Sequence, residues 1–181
     1  MGRYIERVEN IARLLSVTES FAGSQRNSDA WTSLLKVFAD ETGFAGAGLD
    51  ATAENVCRYF LSSTQTMTSA ISCLTMVREN ARSMRHLLST ETWVQISRFH
   101  SRVAALSRKN PPLSKVPEIC ERMRRDCHAH YGVMEATSYR DEVWLFNRLG
   151  ASLERADQMT RLIDMKYFQI DLAEDADEDA T

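Results

Sequence analysis

Apolar residues recur every three or four positions along almost the whole of this 181-residue chain, and no stretch alternates strictly between apolar and polar residues. This spacing places apolar side chains on one face of an α-helix, whereas strict alternation is typical of a half-buried strand. The length suits a single domain with one core. The sequence therefore predicts an all-α protein, an antiparallel helical bundle of about six helices that occupies residues 1–170.

Residues 171–181 differ in composition from the rest of the chain. Acidic residues dominate this segment, no basic residue compensates them, and few residues are apolar. A segment of this kind cannot bury enough apolar surface to offset the entropy lost on ordering. We expect 171–181 to be a disordered acidic tail, separate from the bundle.

The periodicity also indicates where the helices lie and which faces they bury. Helices are predicted at about 3–17, 28–40, 54–61, 63–88, 117–134 and 138–168, with one more between Thr90 and the Pro111-Pro112 pair. The buried stripe of the first helix is Ile5, Val8, Ala12 and Leu15. In the central helix the apolar seam is Met67, Ile71, Leu74, Ala81, Met84 and Leu88. In the last helix, which Ser138 and Asp141 are expected to cap, the residues predicted to point inward are Leu145, Leu149, Leu153, Ala156 and Ile163.

Several functional classes lack support in the sequence. No apolar run approaches the roughly 20 residues of a transmembrane helix, and the charged N-terminus lacks the apolar stretch of a signal peptide. We therefore expect a soluble cytoplasmic protein with no membrane partner. The basic residues are dispersed, which argues against a nucleic-acid partner. Because no Gly-rich phosphate loop or metalloprotease helix occurs, no cofactor is expected.

The cysteines lie in helical apolar patterns without CxxC spacing, which indicates reduced thiols in the core. Cys120, Cys127, His128 and His130 are close in sequence. The two cysteines, however, are about 10.5 Å apart along a helix, which is too far for both to bind one zinc ion, so no metal site is expected. A nucleophile pair of Cys127 and His130 is geometrically possible, although a free cysteine on an apolar helix face is usually a packing residue.

A repeated Glu-Arg segment is the most specific feature of the chain. GRYIERVENIARLL begins at Gly2 and GASLERADQMTRLI begins near the other end, with identical Gly, Glu-Arg and later Arg-Leu residues. In each copy a Glu, an amide residue and an Arg follow at i, i+4 and i+7, which places them in one row of a helix. Neighbouring residues lie about 100° apart on a helix and cannot face each other. We therefore expect Glu6 and Arg7, like Glu154 and Arg155, to be reciprocal partners across two helices.

The central helix carries a basic row that offers further partners, Arg78, Arg82 and Arg85. One hypothesis is that Glu6 and Glu154 engage this row in a polar layer between helices. Such a layer would either brace the bundle or present guanidinium groups to an anionic ligand. A third possibility is a solvated role, which suits the i,i+4 pairs Glu9–Arg13 and Asp157–Arg161.

These two segments, together with VRENARSMRHLLSTETWVQI and RDEVWLFNRLG, resemble the bacterial alpha-E domain family, which is named for an all-helical fold with a repeated Glu-Arg motif. The resemblance covers about 2–168 in the right order. It implies a helical protein encoded beside, or fused to, a circularly permuted ATP-grasp ligase, often with a transglutaminase-like protein. Such systems are thought to build or modify amide-linked peptides. The resemblance also implies that this chain corresponds to the N-terminal half of longer family members.

The family's signature residues can be placed on this chain one by one. They are Glu6, Arg7, Asn10, Arg13, Arg78, Glu79, Asn80, Arg82, Arg140, Asp141, Glu142, Glu154, Arg155, Asp157 and Arg161. The second copy departs from the first at Ala151, which stands where Arg3 stands. The resemblance implies a polar network, structural or ligand-binding, and it assigns no catalytic residue.

The function expected from these observations is that of a helical partner or substrate-holding subunit for an ATP-grasp amide ligase. One alternative is a stand-alone enzyme that uses the Glu and Arg rows on a small amino-acid or peptide substrate. Another is a self-associating structural bundle, that is, a homo-oligomer. The burial of the glutamates distinguishes the partner subunit from the stand-alone enzyme. Carboxylates enclosed with their arginines favour a scaffold, whereas carboxylates that converge on an open pocket favour a ligand site.

Overall fold

The computed structural model describes the backbone of residues 1–22, 28–109 and 111–178, without the side chains of 22, 28, 29, 107 and 168–178. The described residues form eight α-helices and no strand. The helices are α1 (Gly2–Ala22), α2 (Ser28–Val37), α3 (Glu41–Gly46), α4 (Ala53–Ser62), α5 (Ala70–Ser83), α6 (Thr90–Lys109), α7 (Val116–Thr137) and α8 (Glu142–Glu178). Two short 3-10 turns, Arg85–Leu87 and Leu113–Lys115, precede α6 and α7. The all-α fold class is confirmed, with eight helices where about six were predicted.

Two expectations about the ends and order of the bundle stay predictions. The antiparallel order of the helices is one of them. The other is the disordered tail at 171–181: the backbone of 171–178 continues α8, whereas the side chains of this segment and the backbone of 179–181 lie outside the described residues. In the part of the chain that the structure describes, no helix is long and apolar enough to cross a bilayer.

The predicted central helix at 63–88 is shorter than expected. It begins only at Ala70, where the Ser69 side chain caps it by accepting a hydrogen bond from the backbone N–H of Ser72, and it ends at Ser83. Met67, predicted to belong to the apolar seam, lies in the preceding loop and is exposed, whereas Ile71, Leu74, Ala81 and Leu88 are buried. The loop is held by Asp40, which accepts hydrogen bonds from the hydroxyls of Thr66 and Thr68.

The core is built around α1. This helix packs most extensively against α7, α8 and α5. Its predicted stripe is confirmed, since Ile5, Val8, Ala12 and Leu15 are completely buried. Large side chains from the surrounding helices, among them Leu74, Phe99 and Met123, complete the same cluster. Burial of such residues is the main favourable term in the folding of a helical domain.

The orientation predicted for α8 is wrong. Leu145, Leu149, Leu153 and Ile163 were expected to point inward, but all of them are exposed, and so is Ala156. The buried residues of α8 are instead Ala151, Glu154 and Gln158. Helix α8 therefore turns a mostly polar face toward the bundle and an apolar face away from it, because its polar face pairs with side chains of α1.

Candidate functional site

The two Glu-Arg motifs meet where α8 crosses α1. The Arg155 guanidinium donates from Nε to Glu6 Oε1 and from Nη2 to Glu6 Oε2, each over 2.8 Å. The Tyr131 hydroxyl on α7 donates to Glu6 Oε2 over 2.8 Å. Glu6 is therefore held by a two-pronged arginine contact and a tyrosine, and it is only 4% exposed.

Glu154 has the reciprocal arrangement. Arg7 donates from Nε to Glu154 Oε1 over 2.6 Å, and Arg3 donates from Nε to Glu154 Oε2 over 3.1 Å. The Gln158 amide, one turn further along α8, donates to Glu154 Oε1 over 3.1 Å. Glu154 is 1% exposed. The predicted reciprocal pairing is confirmed, since the glutamate of each motif binds the arginine of the other.

The glycines of the two motifs allow this crossing to be close. A β-carbon added at Gly2 would lie 2.0 Å from the backbone oxygen of Asn147 on α8, so any other residue there would push the helices apart. A β-carbon at Gly150 would lie 3.3 Å from Cγ of Arg3. Gly150, inside the long α8, therefore lies at a close approach of the two helices.

The electrostatics of the crossing keep its groups in fixed ionisation states. Burial alone would raise the pKa of Glu154, but hydrogen bonds and charge from Arg7 and Arg3 lower it below its ordinary value. Hydrogen bonding to Glu6 raises the pKa of Arg155. Burial, together with the hydrogen bond to Glu6, raises the pKa of Tyr131. Glu154 is therefore a carboxylate and Tyr131 a neutral phenol near neutral pH, which suits permanent pairing more than proton transfer.

The basic row of the central helix does not take part. Among the described residues, neither Glu6 nor Glu154 makes a hydrogen bond or ion pair with Arg78, Arg82 or Arg85, so that hypothesis is wrong. Arg82 faces solvent and lies 3.9 Å from Glu79. Arg85 lies beyond the end of α5 and donates to the backbone oxygen of Leu88. The buried stripe of α5 is apolar, and the row lies on another face of that helix.

The remaining signature residues lie elsewhere. Asn80 is half-buried on α5. Arg140 binds Glu135 of α7 over 2.6 Å and stacks on the Trp144 ring, with its central carbon 4.3 Å from the ring centroid. Asp141, not Ser138, caps α8, since its Oδ1 accepts from the Trp144 backbone N–H over 3.1 Å. Arg140 and Asp141 therefore fix the turn from α7 into α8.

Sequence reasoning missed Tyr131, and it did not assign Arg3 or Gln158, which lie in the two Glu-Arg segments, to the buried glutamates. Tyr131, Arg3 and Gln158 contact the two buried glutamates directly. The position of Tyr131 on a helix, close to core residues, could have indicated a hydrogen bond to a buried group, because a buried tyrosine hydroxyl usually has a hydrogen-bond partner. Glu9 is also buried and accepts hydrogen bonds from Arg13 over 2.6 Å and from His128 over 3.3 Å, so the solvated role considered for this pair is wrong.

The cysteines and nearby histidines form no reactive centre in the described structure. Cys57, Cys73, Cys120 and Cys127 are all free and buried, which confirms the prediction of reduced core thiols. Burial raises the pKa of the Cys73 and Cys120 thiols to about 12, far from the range of a nucleophilic thiolate. Within the described residues, no three His, Cys, Asp or Glu side chains are grouped closely enough to bind a metal ion.

Comparison with known protein families gives a match over the whole chain. The family model that matches spans residues 1–181 and is that of the Alpha-E family, described as a predicted alpha-helical domain with a conserved ER motif. No curated protein and no solved structure shows significant similarity to the chain. The two Glu-Arg pairs that join α1 to α8 correspond to the feature by which this family is described. The chain belongs to the Alpha-E family.

Proposed function

We propose that this chain is a non-catalytic helical partner subunit of an ATP-grasp amide ligase that acts in peptide modification. In this proposal the paired Glu-Arg motifs brace α8 so that its outward face docks on the partner. The ligase as partner follows from the family resemblance. The observation that carries the proposal is the apolar outer face of α8.

The outer face of α8 consists of residues spaced alternately three and four positions apart. These residues are Phe146, Leu149, Leu153, Ala156, Thr160, Ile163 and Tyr167. Phe146 and Tyr167 are each 69% exposed, and Leu153 is 56% exposed. This spacing is the pattern of a helix that packs along its length against another helix. A contiguous exposed apolar surface of this kind usually marks an interaction site.

The internal repeat allows the exposed apolar face of α8 to be compared with the equivalent face of α1. The repeat aligns Leu153, Ala156, Thr160 and Ile163 with Ile5, Val8, Ala12 and Leu15 of α1. The four α1 residues are completely buried, beneath helices that include α5 and α7. The outer face of α8 is therefore apolar like the equivalent face of α1, which other helices cover. A surface of apolar side chains on helices is therefore the partner chemistry that it fits.

The glutamates favour bracing over catalysis. Every carboxylate oxygen of Glu6 and Glu154 accepts a hydrogen bond from a side chain of the protein itself. A general base needs a lone pair directed at its substrate, and these lone pairs are directed at arginine, glutamine and tyrosine donors. This geometry supports a structural role for the motifs.

Affinity capture tests the proposal. The tagged chain would be expressed with the ATP-grasp ligase of the same genome, alongside the double variant Leu149→Asp/Leu153→Asp and a control, Met67→Asp, at an exposed residue outside α8. We expect the native chain and the control to retain the ligase and the double variant to lose it, with unchanged thermal unfolding. Retention by the double variant would contradict the docking face. A concentration-dependent dimer that the double variant abolishes, with no ligase bound, would instead support the self-associating bundle.

A further inference from the structure

We infer that a polar cavity between α1 and α8 binds a small zwitterion of the amino-acid class. This inference goes beyond the partner role, and it does not depend on it. The cavity measures about 120 Å³. A single water molecule needs roughly 10–15 Å³ of such space, so several heavy atoms fit. Its polar lining comes from both Glu-Arg motifs and from the loop before α5, namely Arg7, Asn10, Thr68, Glu154, Asp157, Gln158 and Arg161.

One wall of the cavity carries hydrogen-bond donors without partners. The Asn10 side chain is only 7% exposed, and its Nδ2 has no hydrogen-bond partner in the described structure. Buried amide groups are seldom left unpaired, so an orphaned Nδ2 in a cavity wall points to a missing acceptor.

Two guanidinium groups add to these donors. Arg7 reaches Glu154 through Nε, and Arg161 reaches Asp157 through Nε over 3.0 Å. Each guanidinium has five N–H donors in a planar fork, so the terminal nitrogens of both remain available within the described network. Together with Asn10, these donors suit a carboxylate group.

Acceptors are available in the same cavity. The Thr68 hydroxyl donates to Oδ2 of Asp40 and lies 2.6 Å from the Thr66 hydroxyl. A hydroxyl oxygen has two acceptor lone pairs, so one lone pair of Thr68 is still available to a ligand. The Oδ1 atom of Asp157 has no partner among the described hydrogen bonds, since Arg161 binds Oδ2. These oxygens suit an ammonium group.

The charges at the cavity balance, which selects the kind of ligand. Arg7 and Arg161 are matched by Glu154 and Asp157, all of which line the cavity. Immediately behind the lining, Arg3 adds one positive charge at Glu154, and Asp40 adds one negative charge at Thr68. A net anion or cation would meet no uncompensated opposite charge. A molecule that carries one charge of each sign matches both walls.

The apolar residues limit the size of the ligand. Val37 and Phe38, at the end of α2, complete the lining. Val37 is buried and Phe38 half-buried. Glycine, alanine and serine fit a cavity of this volume, and an aromatic amino acid fits it less well.

The repeat provides an internal comparison. On the other side of the crossing, the positions equivalent to Asp157 and Arg161 are Glu9 and Arg13. There His128 and Tyr131 of α7 occupy the polar space, His128 by contacting Glu9 and Tyr131 by donating to Glu6. A larger, more open cavity of about 400 Å³ lies on that side, beside Tyr131 and Arg155, but neither Glu9 nor Arg13 lines it. Arg13 is therefore a matched control for Arg161.

Calorimetric titration of the isolated chain with glycine, L-alanine, L-phenylalanine, acetate, methylammonium and inorganic phosphate tests the inference. The variants are Arg161→Gln at the exposed rim, Asn10→Leu, which removes the amide donor at nearly unchanged side-chain shape, and Arg13→Gln. We expect saturable binding of glycine or alanine at millimolar concentrations, at least about tenfold tighter than that of acetate or methylammonium. Arg161→Gln and Asn10→Leu should weaken it at least about tenfold, and Arg13→Gln should leave it unchanged.

Three outcomes would overturn the inference. The first is the absence of saturable binding by any small zwitterion to the folded native chain. The second is phosphate or acetate binding as tightly as glycine, which would contradict the charge argument. The third is an equal loss in Arg13→Gln and Arg161→Gln, which would show that binding does not depend on the cavity. Because the titration uses the chain alone, none of these outcomes bears on the proposed ligase partner.

Discussion

At the scale of single residues, the adjacency of Glu and Arg in each motif decides the geometry of the crossing. Two neighbours on a helix point about 100° apart. Each glutamate can therefore lie in the interface while the arginine beside it reaches across to the other helix, as Glu6 with Arg155 and Arg7 with Glu154 do. Buried ion pairs contribute little net stability over apolar packing, but the loss of one partner leaves the other unpaired.

Replacement of Glu154 by glutamine is expected to be strongly destabilising. The change keeps the shape of the side chain but removes the charge that holds Arg7 and Arg3. Loss of one member of a buried pair costs roughly 3–5 kcal/mol, and the free energy of unfolding from urea titration should fall by about this amount. The control is Glu79→Gln, since Glu79 is exposed and 3.9 Å from Arg82; its effect should lie within about 0.5 kcal/mol. Equal stability of Glu154→Gln and the native chain would contradict the bracing role.

At the scale of helices, α1 and α8 carry matching sequences but opposite orientations toward the core. The apolar stripe of α1 is buried, whereas the equivalent stripe of α8 is exposed. The polar rows of both helices lie in their shared crossing. Amphipathicity shows that a helix has two faces, but the neighbours available to each face decide which one is buried.

A pair of equivalent substitutions tests this difference. Ile5→Ser removes a fully buried side chain and should lower the free energy of unfolding by several kcal/mol, as large-to-small core changes do, typically about 2–5 kcal/mol. Leu153→Ser, at the equivalent position of α8, should change it by less than about 0.5 kcal/mol because the side chain is mostly exposed. Denaturant unfolding at low protein concentration measures both. A similar loss at the two positions would mean that the outer face of α8 is packed inside the bundle.

At the scale of the whole molecule, the bundle keeps several titratable groups neutral in its interior. His130 is buried, and neither ring nitrogen has a hydrogen-bond partner within the described residues. Burial lowers the pKa of His130 to about 4, with a further contribution from the α-amino group of Met1. The folded state therefore binds this proton less readily than the unfolded chain, in which a histidine titrates near 6.5.

The stability of the fold should accordingly depend on pH below neutrality. Between about pH 6.5 and 4 the unfolded chain is protonated at His130 and the folded chain is not, so the free energy of unfolding falls as pH decreases through this range. The full effect approaches roughly 3 kcal/mol. Urea titration at several pH values gives the free energy of unfolding as a function of pH. His130→Met should make this free energy less dependent on pH, whereas His86→Gln, at an exposed histidine, should leave the dependence as it is. An unchanged slope in His130→Met would assign the pH dependence to other groups.

Much of the fold and part of the site could be predicted from particular residues. The buried stripe of α1 follows from its spacing, and the reciprocal Glu-Arg pairing follows from the impossibility of contact between sequence neighbours. The Arg78, Arg82 and Arg85 row was assigned wrongly, because a row of arginines has the same spacing whether it meets a carboxylate or water. Tyr131 was missed because its partner, Glu6, lies on a different helix far away in sequence.

The sequence by itself determined the all-α class and which residues share a face of each helix. It also determined that the Glu and Arg of each motif cannot pair with each other and must pair with other residues. These properties depend on distances of one or two helical turns, which the local backbone geometry sets. Only the tertiary structure decided that α8 turns its polar face inward, that Tyr131 joins Glu6, and that a polar cavity remains beside Asn10. Those outcomes depend on which surfaces meet across the bundle, and such contacts join residues that no local spacing relates.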